Sequence, residues 1–270
     1  MAQPVIWMLA LAYCAFSCSH DRADAAPAIV LAETVAAAGD STVHSDEAKT
    51  VAVEFAHIPW NELIGQFEPA LHPEFDRIPP DYTSKPDIYL RREVLAAFAR
   101  MHEHASRDGI ELRILSATRT WDYQRMLWER KWNHPHFMGF QPLERAKQIL
   151  SYSAMPGASR HHWGTDIDLN SLENEWFETG SGLDVHQWLQ KNAQAYGFHQ
   201  VYGPQSNGRT GYREEKWHWS YMPLASLYLD EMTKYNQDSL PAPFSGFSGA
   251  EWSHRLRIVE DFIQGIEPME

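Results

Sequence analysis

Cysteine is almost absent from this chain of 270 residues: there are two, Cys14 and Cys18, both near the N-terminus. Beyond them no disulfide, no thiolate nucleophile and no cysteine-ligated zinc site can be built. Positive charge is also scarce, with 23 Lys and Arg against 36 Asp and Glu and a formal net charge of −13. Phosphate contacts need a basic face, so no nucleic-acid partner is expected. Three catalytic motifs are missing too. His102-Glu-His104 is followed by Ala105 and Ser106 instead of completing a His-Glu-x-x-His helix motif, no Ser-x-x-Lys occurs, and Ser245-Gly-Phe-Ser-Gly249 is not a Gly-x-Ser-x-Gly elbow.

The apolar run from Val5 to Phe16 is too short for a comfortable membrane span and has the length of an export signal, which is expected over residues 1–25. Its usual basic leading residues are missing. Two processing sites compete: Ala15-Phe-Ser-Cys18 is an imperfect lipoprotein box with Cys18 as lipid acceptor, and Ala23-Asp-Ala25 fits cleavage before Ala26. The lipoprotein reading is slightly preferred, giving an exported protein of the periplasm or cell envelope whose only membrane attachment is lipid on Cys18. Residues 26–50, rich in Ala, Asp, Ser and Thr without helical or strand period, read as a flexible tether.

A domain over 51–238 follows, then a linker and helix over 239–270. With 44% hydrophobic and 13% aromatic residues there is ample material for one core. Val94, Leu95, Phe98, Met101 and Ala105 recur at helical spacing within 91–107, with Gly109 as a stop. Residues 111–116 alternate as a strand, and Thr120 caps a helix over 121–132. Further helices are expected over 142–152 and 184–196, and over 250–265, where Trp252, Leu256, Val259 and Phe262 form a docking face. Helices around a few strands without regular alternation predict an α+β fold, a small antiparallel sheet flanked by helices. No apolar stripe is left over, so a monomer is expected.

Two short segments carry the chemistry: Ser159-Arg-His161-His-Trp-Gly164-Thr-Asp166-Ile-Asp168 and Glu215-Lys-Trp-His218-Trp219. In the second, Trp217, Trp219 and Tyr221 alternate with His218 and Ser220, so the aromatics point into the core and His218 points to the other face. Ile167 and Leu169 alternate with Asp166 and Asp168 in the same way, and Gly164 supplies the bend that lets His161 and Asp168 converge. Two imidazoles and a carboxylate make a three-ligand catalytic zinc set, His161, Asp168 and His218, with a fourth position open to water and Glu215 as the nearby base.

The pattern Ser-x-His-x-x-Gly-x-x-x-Asp followed by Glu-x-Trp-His resembles the zinc D-alanyl-D-alanine carboxypeptidase and dipeptidase family of the vancomycin-resistance type. That family belongs to the lysostaphin and hedgehog fold group. Ser116-Ala-Thr-Arg119-Thr-Trp-Asp-Tyr-Gln124 is similar to the family's Ser-Gly-Tyr-Arg-Ser…Gln stretch, and Tyr89-Leu-Arg91 to the helix lead-in before it, so the resemblance spans roughly Val53 to Tyr235.

The resemblance implies a D,D-carboxypeptidase that removes terminal D-Ala from peptidoglycan stem peptides. Arg119 would hold a substrate carboxylate or carbonyl, with Gln124 and Ser159 adding hydrogen bonds. A dipeptidase, an L,D-carboxypeptidase, a peptidoglycan endopeptidase or a non-catalytic zinc-containing cell-wall binding protein would use the same site, and the aromatic segment from Trp132 to Pro142 is a candidate lid. Where the family carries a small residue this chain has Asp166, which in the strand reading shares a face with Asp168 and could accept a histidine N–H.

Overall fold

Alternation in two four-residue segments decides the central pairing. Asp166–Leu169 and His218–Tyr221 run antiparallel with Asp166 opposite Ser220, Ile167 opposite Trp219 and Asp168 opposite His218. Ile167, Leu169, Trp219 and Tyr221 enter the core, which leaves the aspartates and His218 together on the other face. A one-residue slip would bury the carboxylates among those apolar side chains, so burial fixes the register.

The structure, a computed structural model, describes residues 57–234 and 244–268. The export signal expected over 1–25 and the tether over 26–50 lie outside them. In chain order the elements are α1 (Trp60–Leu63), β1 (Phe75–Arg77), β2 (Tyr89–Arg91), α2 (Arg92–Arg107), β3 (Ile114–Ser116), α3 (Trp121–Trp132), α4 (Pro135–Met138) and α5 (Pro142–Leu150). After these come β4 (Asp166–Leu169), α6 (Gly180–Asn192), β5 (Phe198–His199), β6 (His218–Tyr221) and α7 (Met222–Lys234). β1 and β2 form a hairpin sheet of their own, and the other four strands form an antiparallel sheet in the order β3-β4-β6-β5. This is an α+β fold with a small antiparallel sheet flanked by helices.

Each helix has a legible local cause. The buried face of α2 is Val94, Ala97, Phe98, Met101 and Ala105, and Gly109 follows in the left-handed region. The Thr120 hydroxyl accepts the Tyr123 N–H at 3.2 Å and caps α3. α6 begins at Gly180, four residues before the expected start. A Cβ on Gly182 would lie 1.9 Å from the Trp176 carbonyl oxygen, so close approach to the preceding turn, not apolar period, sets that end.

One apolar cluster lies between α2, α6 and the four-stranded sheet. Another gathers Trp128, Trp132, Trp163, Tyr228, Leu256, Val259 and Ile263. The described C-terminal residues are thus part of a shared core. The single helix expected over 250–265 is replaced by a 3-10 turn (Ala250–Trp252) and a π-helical turn (Ile258–Ile263), separated by Arg257 at φ +51°. Tertiary contacts override the helical period here: Thr210 Oγ1 donates to the Asp261 carbonyl, and a Cβ on Gly211 would lie 2.0 Å from that oxygen.

Candidate metal centre

His161 sits in a 3-10 turn, Arg160–Trp163, anchored by the Trp163 indole N–H donating to the Leu63 carbonyl at 3.1 Å. Gly164 ends the turn at φ +73°, where a Cβ would lie 2.4 Å from the Phe75 ring, so glycine is required twice over. The chain then enters β4, which presents Asp168 opposite His218 on β6. His161 Nε2 lies 3.3 Å and His218 Nδ1 3.2 Å from the same oxygen, Asp168 Oδ1. One ligand atom from each residue falls within 4.8 Å of the others, and all three residues are buried.

The outer nitrogen of each ring decides what the inner one offers. His161 Nδ1 lies 2.9 Å from the Ala117 carbonyl, which can only accept, so Nδ1 carries the hydrogen and Nε2 faces inward with its lone pair. His218 Nε2 lies 2.9 Å from Asp166 Oδ1, so Nε2–H points outward and Nδ1 inward. Two imidazole nitrogens and a carboxylate oxygen therefore converge, a donor set suited to a divalent cation such as zinc. Burial opposes charge on His218, but its hydrogen bonds to Asp166 and Asp168 outweigh it and raise the ring to about 9. Burial also opposes charge on Asp168, while His161 and Arg119 hold its carboxyl well below the usual range.

Glu215 closes one side, its Oε2 3.8 Å from His218 Nδ1. Burial first, and then the nearby Asp168 charge, push its carboxyl up to about 7 against the opposing pull of His218, Arg119 and Lys131. That value suits proton exchange near neutral pH. Arg119 lies at the junction between β3 and α3. Its guanidinium donates to Asp168 Oδ2 at 2.5 Å, to Ser116 Oγ at 2.9 Å and to Gln124 Oε1 at 3.4 Å, and it reaches within 3.2 Å of His161 Nε2.

The structure therefore brings His161, Asp168, His218, Glu215 and Arg119 together. Gln124 stands behind Arg119, fully buried, its amide N–H donating to the Ala154 carbonyl at 2.8 Å. Ser159 is buried at the head of the turn that carries His161. The segment proposed as a lid includes α4, and Arg145 ties it down by donating to the Met138 and Phe140 carbonyls.

Two further residues at the site had no motif to mark them. Lys131 feels the charges of Arg119 and Glu215, and burial brings its ammonium down to about 8; its position seven residues after Gln124 on α3 was the available signal. The Tyr202 ring lies 4.6 Å from that of His218 and packs on Tyr212, whose buried hydroxyl has no hydrogen-bond partner among the described residues.

Comparison with known proteins places the chain in a family. The family model VanY, D-alanyl-D-alanine carboxypeptidase, matches residues 87–224, a little over half of the chain. The YodJ protein of Bacillus subtilis (strain 168), whose carboxypeptidase name is itself provisional, is 29% identical over 167 residues, or 59% of this chain and 56% of that one. A D-alanyl-D-alanine carboxypeptidase of Enterococcus faecalis (strain ATCC 700802 / V583) is 27% identical over 124 residues, 46% of this chain and 45% of the relative. The chain spans about half the length of these relatives. Among solved structures, VanYB in complex with D-alanine-D-alanine is 22% identical, with 53% of this chain and 78% of that chain covered and a TM-score of 0.43.

Proposed function

This chain belongs to the VanY family of D-alanyl-D-alanine carboxypeptidases, and we propose that it is a zinc-dependent D,D-carboxypeptidase that removes the terminal D-Ala of peptidoglycan stem peptides. The observation that carries the reading is the convergence of His161, Asp168 and His218 within 4.8 Å, with the buried Glu215 carboxylate beside them. Zinc held by those three residues supplies Lewis acidity, making water acidic near neutral pH and polarising an amide carbonyl.

The chain's own residues do the rest. Glu215, held near 7, accepts a proton from the attacking water and returns it to the departing amine, so one carboxyl serves both steps. Arg119 presents a planar guanidinium suited to a substrate carboxylate or carbonyl, and Gln124 and Ser116 hold it in place. No serine or cysteine nucleophile is required. The apolar run Val5 to Phe16, with Cys18 as a lipid acceptor, would take the protein to the envelope, where stem peptides are found.

The test is mass spectrometry of the purified, zinc-loaded chain incubated with a pentapeptide muropeptide and, separately, with free D-Ala-D-Ala. Loss of one alanine residue from the pentapeptide, abolished by a chelator and by Glu215→Ala, is the expected result. Cleavage of the dipeptide alone would reassign the substrate to that of a dipeptidase. No cleavage of either by metal-loaded protein would overturn the assignment.

A further inference from the structure

The two histidines of the centre are held from behind in different ways. His161 leans on a backbone carbonyl, that of Ala117, whereas the outer nitrogen of His218 is held by a side chain, Asp166. Asp166 is itself fully buried and engaged on every side. Its Oδ1 accepts from His218 Nε2 at 2.9 Å and from Arg160 Nε at 3.2 Å, and its Oδ2 accepts from the Thr165 hydroxyl at 2.5 Å. Arg160 is buried too; its Nη2 donates to Ser220 Oγ at 2.7 Å, and the guanidinium lies 4.6 Å over the Trp163 ring.

We propose that Asp166, steadied by Arg160, is a positioning residue that orients His218 and fixes its tautomer so that Nδ1 is presented to the metal. The inference rests on the metal reading above. Its geometric ground is the β4–β6 register. Asp168 faces His218 directly, and Asp166 lies one pleat along on the same face, diagonal to His218 and opposite Ser220. From there a carboxylate reaches the far nitrogen of the ring while Asp168 reaches the near one.

A purely structural ion pair is the competing explanation, and energetics distinguishes the two. Burying a carboxylate and a guanidinium is costly, and an apolar replacement of such a pair is commonly neutral or stabilising. A pair kept for shape alone would thus be dispensable as a pair. A pair kept for His218 would not be, because partners behind a metal-ligating histidine set its orientation and basicity, and losing them costs about 10- to 100-fold in metal affinity.

The experiment uses the full chain. Zn²⁺ affinity is measured by competition with a chromophoric chelator, and the coordination geometry by the visible spectrum of the Co²⁺-loaded protein. Asp166→Ala is expected to bind Zn²⁺ about 10- to 100-fold more weakly. Asp166→Asn keeps an acceptor oxygen without the charge and should fall between it and the native chain. The double variant Arg160→Met with Asp166→Ala removes both buried charges, so thermal melting should show a folded protein even if Asp166→Ala alone leaves Arg160 stranded. Its metal affinity should stay as low as that of Asp166→Ala, with an altered Co²⁺ spectrum.

Native affinity and a native spectrum in the double variant would overturn the proposal and make the pair structural. If neither alanine variant folds, Asp166→Asn decides: weakened binding supports the role, and unchanged binding overturns it. A native chain that binds no Zn²⁺ would sink the metal reading and this inference together, whereas native binding with unaffected variants sinks this inference alone.

Discussion

Two buried charge clusters lie close together in this protein, and they are built on opposite plans. In one, Arg91 is a central cation. Its Nε donates to the Trp163 carbonyl at 2.8 Å, one Nη donates to Glu74 and the other to Glu62 at 2.5 Å, and the Phe75 and Tyr228 rings lie within 5 Å of it. Glu62 takes further contacts from His72 and the Tyr228 hydroxyl, both at 3.3 Å. In the other cluster the centre is an anion, Asp168, between two inward-facing imidazole nitrogens, with Glu215 alongside and the Arg119 guanidinium on its outer oxygen. The first cluster satisfies itself. The second converges three ligand atoms on one point, with Arg119 held on the far oxygen of Asp168, and among the described residues the Glu215 carboxylate has only His218, at 3.8 Å, within ion-pair reach. Buried charge by itself marks neither structure nor function; whether the partners complete one another does.

The sharpest way to break that contrast is Glu215→Gln. Hydrolysis should fall by about 10²- to 10⁴-fold in kcat, while the thermal stability of the metal-free protein stays level or rises, because a carboxylate whose burial outweighs the pull of His218, 3.8 Å away, is replaced by a neutral group. A variant that lost stability with little loss of rate would move Glu215 into the structural class. Arg91→Ala is the mirror image. Removing the cation strands Glu62, at a cost of about 3–5 kcal/mol, read as a lower denaturant midpoint. The fraction still folded should hydrolyse substrate at the native rate, since no Arg91 atom reaches the metal-facing side chains among its hydrogen bonds.

The metal-facing half of this comparison was legible in the sequence, and the Arg91 half was not. The alternation of Trp217, Trp219 and Tyr221 with His218 and Ser220, and of Asp166 and Asp168 with Ile167 and Leu169, fixed both faces of the β4–β6 pair, because side-chain direction in a strand has a period of two. Gly164 marked the bend. Asp166 could be placed beside the centre, but its bond to His218 Nε2 depends on register, which one strand alone does not reveal.

The Arg91 cluster draws on Glu62, Glu74, Trp163 and Tyr228, spread over more than 160 residues with no local pattern to join them. The C-terminal segment shows the same limit. Its apolar spacing foretold docking but not the π-helical turn, which follows from backbone contacts with the loop at Thr210 and Gly211.

Acid should separate the two clusters next. Burial would raise Glu62, but the hydrogen bond from His72 and the charge of Arg91 hold it below its ordinary value of 4.5. A folded-state pKa depressed in this way stabilises the protein above the unfolded value, and that contribution is lost as pH falls through the folded value. Native stability should therefore drop below about pH 4.5 more steeply than that of Glu62→Gln, which should be weaker at pH 7 by about 2 kcal/mol. Parallel pH curves for the two proteins would show that Glu62 does not sustain the Arg91 cluster.

The smallest effect should come from Gln124→Leu, a residue that the resemblance offers to substrate and that is buried here with its amide N–H on the Ala154 carbonyl. Its bond to Arg119 is 3.4 Å long, near the limit for a hydrogen bond, while Arg119 keeps Ser116 at 2.9 Å and Asp168 at 2.5 Å. Leucine fills nearly the same volume but strands the Ala154 carbonyl, costing about 1 kcal/mol. With two of three tethers intact, Arg119 should hold its place, and KM for the pentapeptide should rise only a few-fold with kcat little changed. A hundredfold fall in kcat/KM would mean that Gln124 turns out of its buried position to touch substrate. That would shift it from the self-satisfied plan of the Arg91 cluster to the open plan of the metal centre.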